Sequence, residues 1–137
     1  MPISTPTSPS HQRSLTMPSV KIIDFQNSTA PNSTSVMEPE RRLSGAPEQS
    51  LQNMYASAAK ELLSGIWSSE IGKWSVDYSQ RHEFCYLVEG HIVLADEDGE
   101  ESTFKAGDAF VIPVGFKGSW EVIEPVTKYY VIYNVAC

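Results

Sequence analysis

"EFCYLVEGHIVLADEDGEESTFKAGDAFVIPVGFKGSW", Glu83 to Trp120, is a series of short β-branched and aromatic runs cut by turn residues. Gly90 separates "FCYLV" from "HIVLA". Asp96-Glu97-Asp98-Gly99 forms a hairpin signal in which Gly99 supplies positive φ. Gly107-Asp108 and Pro113-Val114-Gly115 punctuate the rest. Runs of four to eight residues at a spacing of about 8–12 predict an antiparallel sandwich or barrel.

The same rhythm extends outward from this stretch. "GIWSSE", "KWSVDY", "GSWEVI" and "KYYVIYN" complete a β domain that starts near Gly65. Upstream, "SLQNMYASAAKELLSG" places Leu51, Met54, Tyr55, Ala58 and Leu62 at helical spacing, with Gly65 as a stop, so residues 50–64 are expected to form a short helix or an irregular turn. "VKIID", Val20 to Asp24, reads as a short edge strand. Residues 1–19 are rich in Ser, Thr and Pro, have no hydrophobic period, and are expected to be a disordered tail. The domain is then 20–137.

Lys and Arg number 10 against 17 Asp and Glu, for a net charge of -7. That balance argues against nucleic acid, whose binding needs clustered cations, and against an anionic membrane surface. No apolar run approaches the roughly 20 residues of a membrane span. Two cysteines, Cys85 and Cys137, make no disulfide framework, and reduced thiols fit a cytoplasmic setting. The sequons at Asn27 and Asn32 fall in a Ser/Thr-rich stretch that generates such matches by chance.

The framework residues resemble those of the cupin superfamily. Its second motif runs Gly, five residues, Pro-x-Gly, two residues, His, three residues, Asn. Here Gly107, Pro113 and Gly115 fit, but Gly118 stands in the His position and Val122 in the Asn position. In the first motif Glu83 and Gly90 fit, while Tyr78 and Gln80 stand near the two His positions, one residue short in the gap to Glu83. An alternative register puts Asp77 and Ser79 there. The order of "GIW", "GKW", "EFCYLVEG" and "EPVTKYYVIY" is similar to small single-domain cupins of the ureidoglycine-aminohydrolase and ethanolamine-utilisation types, over roughly residues 36–135. The resemblance implies an all-β double-stranded β-helix, the cupin jelly-roll barrel, in one domain. It also implies that Glu83 faces the interior.

A transition metal needs three or four converging ligands. The chain has three His: His11 in the tail, His82 on the face opposite Glu83 by strand alternation, and His91 outward of Ile92 and Leu94. The expectation is therefore no metal cofactor. The alternative is manganese held by Glu83 with Gln80, Tyr78 or Asp77.

Glu83 is the best candidate catalytic residue. A lone carboxylate in an apolar cavity is expected to have a raised pKa and to act as a general acid or base, or else to accept a hydrogen bond from Tyr78 or Gln80 and do no chemistry. Candidate ligand contacts are Trp74, Tyr78, Gln80, Glu83, Cys85, Gly118 and Trp120. Each aromatic among them has an alternative role as core, and Cys85 as a small buried hydrophobe.

Three functions are compatible with these residues. The first is a cupin that binds a small polar metabolite and processes it without a bound metal. The second is a silent binding or accessory subunit. The third is a metal-dependent aminohydrolase-like enzyme. A small-molecule ligand and a homodimer are the expected partners, the latter through Val20–Asp24 adding a strand to a second copy.

Overall fold

The computed structural model describes residues 19–135. Nine strands form one strongly curled sheet: β1 (Ser33–Val36), β2 (Arg42–Ser44), β3 (Glu48–Ala56), β4 (Leu62–Ser69), β5 (Gly72–Asp77), β6 (Arg81–Asp96), β7 (Glu101–Lys105), β8 (Ala109–Ile112) and β9 (Lys117–Asn134). A single 3-10 turn, Pro39–Arg41, is the one helical element among the described residues.

The architecture follows from two long strands. β6 and β9 have 16 and 18 residues and pair antiparallel along nearly their whole length. The sequence runs "FCYLV" and "HIVLA" are the two halves of β6, and "GSWEVI" and "KYYVIYN" are the two halves of β9. Each strand bends once, where the register shifts between Leu87 and Ile92. Gly90 sits in that bend with φ 103°, and a Cβ there would lie 2.5 Å from the Pro125 carbonyl oxygen, so only glycine fits the corner. The bend also changes the inward parity of β6, from Glu83, Cys85 and Leu87 to Ile92 and Leu94.

On one side of the bend β6 and β9 are flanked by β8, β4, β3 and β1; on the other by β7, β5 and β2. The two halves fold face to face, and their inward residues form the core, with Trp74, Val76, Leu87, Ile92, Trp120 and Val122 all under 8% exposed. The turn pattern predicted a sandwich or barrel, and the cupin resemblance implied the jelly-roll barrel that forms here.

Two expectations are corrected. Residues 50–64 are not helical: they form most of β3, a turn and the start of β4, paired antiparallel from Gln49↔Ser69 to Ala56↔Leu63. A bulge between Asn53 and Tyr55 breaks the period of two, which is why the apolar residues imitate helical spacing. Val20–Asp24 is not a strand either. Val20 and Ile22 are almost fully exposed, and the segment is held only where it ends. There Phe25 packs edge-on against Tyr129 at 5.3 Å, and the Gln26 amide donates to the Tyr129 hydroxyl. The expected tail, residues 1–19, lies outside the described residues except for Ser19.

Candidate functional site

One end of the barrel opens into a cavity of about 460 Å³, bounded by β3, β4, β5, β6 and β9. Glu83, Lys128 and Tyr78 form a charged cluster in its lining. Glu83 is the first fully buried residue of β6, and Lys128 lies on β9 in the inward parity of Val126 and Tyr130. Lys128 Nζ is 2.7 Å from Glu83 Oε2, with side-chain exposures of 7% and 4%. The Tyr78 hydroxyl donates to Glu83 Oε1 at 2.7 Å. Tyr78 is fixed through its backbone, donating to Phe116 O and accepting from Gly115 N, so the Pro113–Phe116 turn sets the position of this hydroxyl. Both carboxylate oxygens are therefore occupied.

Aromatic rings complete the surroundings of the ammonium. Lys128 Nζ lies 4.3 Å from the centre of the Trp120 ring and 4.5 Å from that of Trp67. Trp74 stacks on Trp120 at 6.3 Å, and Trp67 meets both edge-on. A buried ammonium thus has a carboxylate and two π faces in place of water.

The electrostatics follow from this packing. Burial raises the Glu83 carboxyl, but the Lys128 ammonium and the hydrogen bonds from Lys128 and Tyr78 outweigh it and hold Glu83 below the ordinary carboxylate value. The sequence expectation was the reverse, because it lacked the cation. Burial alone would lower Lys128; the groups around it, Cys85, Glu83 and Tyr78, raise it instead. Burial pushes the Tyr78 hydroxyl up, and it stays a neutral donor. Burial likewise pushes the Cys85 thiol up to about 12, which removes it as a nucleophile.

Above this cluster the lining becomes more varied. Leu51, Leu63, Val76 and Ile132 are apolar, and the Tyr130 hydroxyl donates to Asn53 Oδ1 at 2.7 Å. Arg81 shares the parity of Glu83 at the start of β6, with its guanidinium 4.5 Å over the Tyr78 ring. Arg41 and Lys60 also line the cavity.

Residues 56–130 match the sequence profile of the EutQ-like cupin domain. The chain belongs to the EutQ-like cupin family. No curated protein sequence matches it. Among solved structures it is similar to a Pseudomonas syringae pv. tomato protein of unknown function from the DUF861 family, at 27% identity and TM-score 0.68, covering 80% of this chain. The chain spans 46% of that protein's length. It shares the fold of a putative ethanolamine utilization protein Q from Salmonella typhimurium, at 15% identity and TM-score 0.58, over 80% of this chain and all of the other. The EutQ protein of Clostridium difficile is similar at 16% identity and TM-score 0.57, over 65% of this chain and 64% of that one.

In this EutQ-like cupin the positions singled out from the sequence separate into three groups. Trp74, Tyr78, Glu83 and Trp120 do line the cavity. Cys85 is fully buried beneath Glu83 and Lys128 and is not part of the lining. Gln80 and Gly118 are not in the lining. Gln80 lies in the exposed turn between β5 and β6, where its carbonyl accepts from Val135 N. Gly118 packs so closely under β6 that a Cβ would collide with the Ala95 carbonyl oxygen, so no larger side chain fits there on this backbone. Among the described histidines, His82 turns away from the cavity, accepting from Val114 N and stacking on Tyr133. His91 Nε2 is buried without a partner at the bend of β6. No group of three or more His, Cys, Asp or Glu comes together among the described residues.

Lys128 is the member of this cluster that the sequence did not single out. Its signal was present: in "VTKYYVI" it alternates with Val126, Tyr130 and Ile132, which all face inward or half inward.

Proposed function

We propose that this protein is a cytoplasmic cupin that binds a small metabolite in its barrel and works without a resident metal. The observation that carries this reading is the closed Tyr78–Glu83–Lys128 cluster in a cavity of about 460 Å³ with apolar walls. Cavities of roughly 300–1,000 Å³ with mostly apolar walls and a few placed polar groups are typical ligand sites.

The residues present do not fit a divalent metal. The carboxylate that would ligate it is already neutralised by an ammonium at 2.7 Å, and the His position of the second motif is held by a glycine that admits no side chain. Lys128 supplies a buried positive charge beside Glu83. The narrower likeness to ureidoglycine aminohydrolases gains no support from this donor set.

The chemistry open to the site is limited by the same pairing. Glu83 is ionised and doubly bonded, so it acts as a base only if Lys128 gives up its partner. Ligand binding in the cavity, with the Tyr78–Glu83 hydrogen bond and the Glu83–Lys128 pair left intact, is the role that costs the site nothing.

A ligand-observed NMR fragment screen on the full chain tests this. Hits are expected, and Leu51→Trp, which fills the cavity from the β3 side, should abolish them. An absence of hits, or hits that survive Leu51→Trp, would remove the binding reading.

A further inference from the structure

The protein is acidic, at -7, yet its cavity is not. Four lining residues are cationic, Arg41, Lys60, Arg81 and Lys128, and one, Glu83, is acidic. Glu83 is consumed by Lys128, which leaves three positive side chains around the upper cavity with no lining carboxylate to balance them. Low-dielectric walls concentrate such a field on whatever enters.

The three upper cations differ in what they have left to give. Both Nε and Nη2 of Arg41 donate to the Ser75 carbonyl, at 3.2 and 3.1 Å, and its Nη1 lies 3.8 Å from Glu38. Lys60 sits in the turn between β3 and β4, exposed to water. Arg81 is half-buried, and its guanidinium makes no hydrogen bond or ion pair among the described residues. Its Nε is fully buried with no partner. An arginine fork held over an aromatic ring with its donors unspent suits a planar, bidentate acceptor such as a carboxylate.

The aromatic cluster points the same way. Trp67 and Trp120 would otherwise offer a seat for a cationic ligand. That seat is filled by the chain's own ammonium, 4.3 and 4.5 Å from the two rings. A second cation would meet Lys128 and Arg81 with no free carboxylate to receive it. The remaining walls, Leu51, Leu63, Val76 and Ile132, are apolar.

We propose that the cavity of this protein receives a small organic anion of the carboxylate class, its charged end held by Arg81 and its apolar body against the β3, β4 and β9 walls. The inference rests on the binding reading above and adds the charge of the ligand to it.

The test is a tryptophan-fluorescence titration of the full chain with two matched series: phenylacetate, phenylacetamide and 2-phenylethylammonium, and 3-methylbutanoate, its amide and the corresponding amine. Within each series the carboxylate should bind at least tenfold more tightly than the amide, and the ammonium should not bind. Arg81→Gln should reduce the carboxylate's advantage over the amide at least fivefold. Arg81→Lys, which keeps the charge and loses the fork, should retain part of it. Equal binding of carboxylate and amide, preference for the ammonium, or an undiminished preference in Arg81→Gln would overturn the proposal and leave the binding reading in place. Failure of all six compounds, in a protein whose fragment hits still depend on Leu51, would also overturn it. If the fragment screen is negative too, both readings fall.

Discussion

Replacing Lys128 by Met probes the ion pair with little change of volume. In the wild type, Glu83 Oε2 has the ammonium at 2.7 Å, and the two side chains are 4% and 7% exposed, so solvent screens neither charge. In Lys128→Met the Tyr78 hydroxyl is the only strong donor left to Glu83. Removing one partner of a buried pair costs about 3–5 kcal/mol, because the other charge stays buried. For a chain of this size about 1 kcal/mol corresponds to several degrees, so a fall in Tm on the order of 10–20 °C is expected near neutral pH. The deficit should shrink as pH falls, because the unpaired Glu83 takes up a proton more readily than a paired one. The double variant Glu83→Gln/Lys128→Met buries no charge and should recover most of the loss, since replacing a whole buried pair is often neutral. Urea unfolding of the three proteins between pH 5 and 8 measures all of this. A Lys128→Met cost below about 1 kcal/mol, or a double variant no better than the single one, would refute the buried pair as described.

Three other outcomes are expected. Protein purified without added metal should carry well under one equivalent of manganese, iron, zinc or nickel by elemental analysis, and added manganese should leave Tm unchanged; one tightly held ion per chain would contradict this. Cys85 and Tyr78 have folded pKa values raised above their unfolded ones, so their contribution is fully present below about pH 9 and is lost as pH rises toward 12. Denaturant midpoints should therefore fall between pH 9 and 11, and Cys85→Ala should flatten the first part of that fall. We also propose a homodimer formed through the outward face of β6, β8 and β9, where Phe84 pairs in register with Val111 and Val131 and all three are 39% or more exposed. Light scattering should give twice the chain mass, and Phe84→Glu with Val111→Glu should halve it; a monomer at micromolar concentration would count against it.

The barrel was legible because its turns are written in residue types that few other structures use. Gly99, Gly107 and Pro113-Val114-Gly115 mark hairpins that the structure contains. The tyrosine partner of Glu83 was legible too, because the short turn between β5 and β6 leaves Tyr78 within reach. Other features were not legible, for identifiable reasons. Gly90 and Pro125 look like strand ends, but they are corners inside continuous strands, and only pairing across the sheet distinguishes the two. The bulge at Asn53 shifts the phase of β3, so a local period misreports the element. Lys128 drew no expectation from the sequence, since a lone lysine is almost never buried. Its burial is decided by a carboxylate 45 positions earlier in the chain, and with it went the sign of the Glu83 shift.

An ammonium held by Glu83 and two tryptophans is the centre of this barrel's charged cluster. The most direct test is the ionisation of Glu83 followed by side-chain carboxyl carbon NMR in metal-free protein. The midpoint is expected below the ordinary value of 4.5 in the wild type and above it in Lys128→Met. A wild-type midpoint above 4.5, or one unmoved by Lys128→Met, would contradict it.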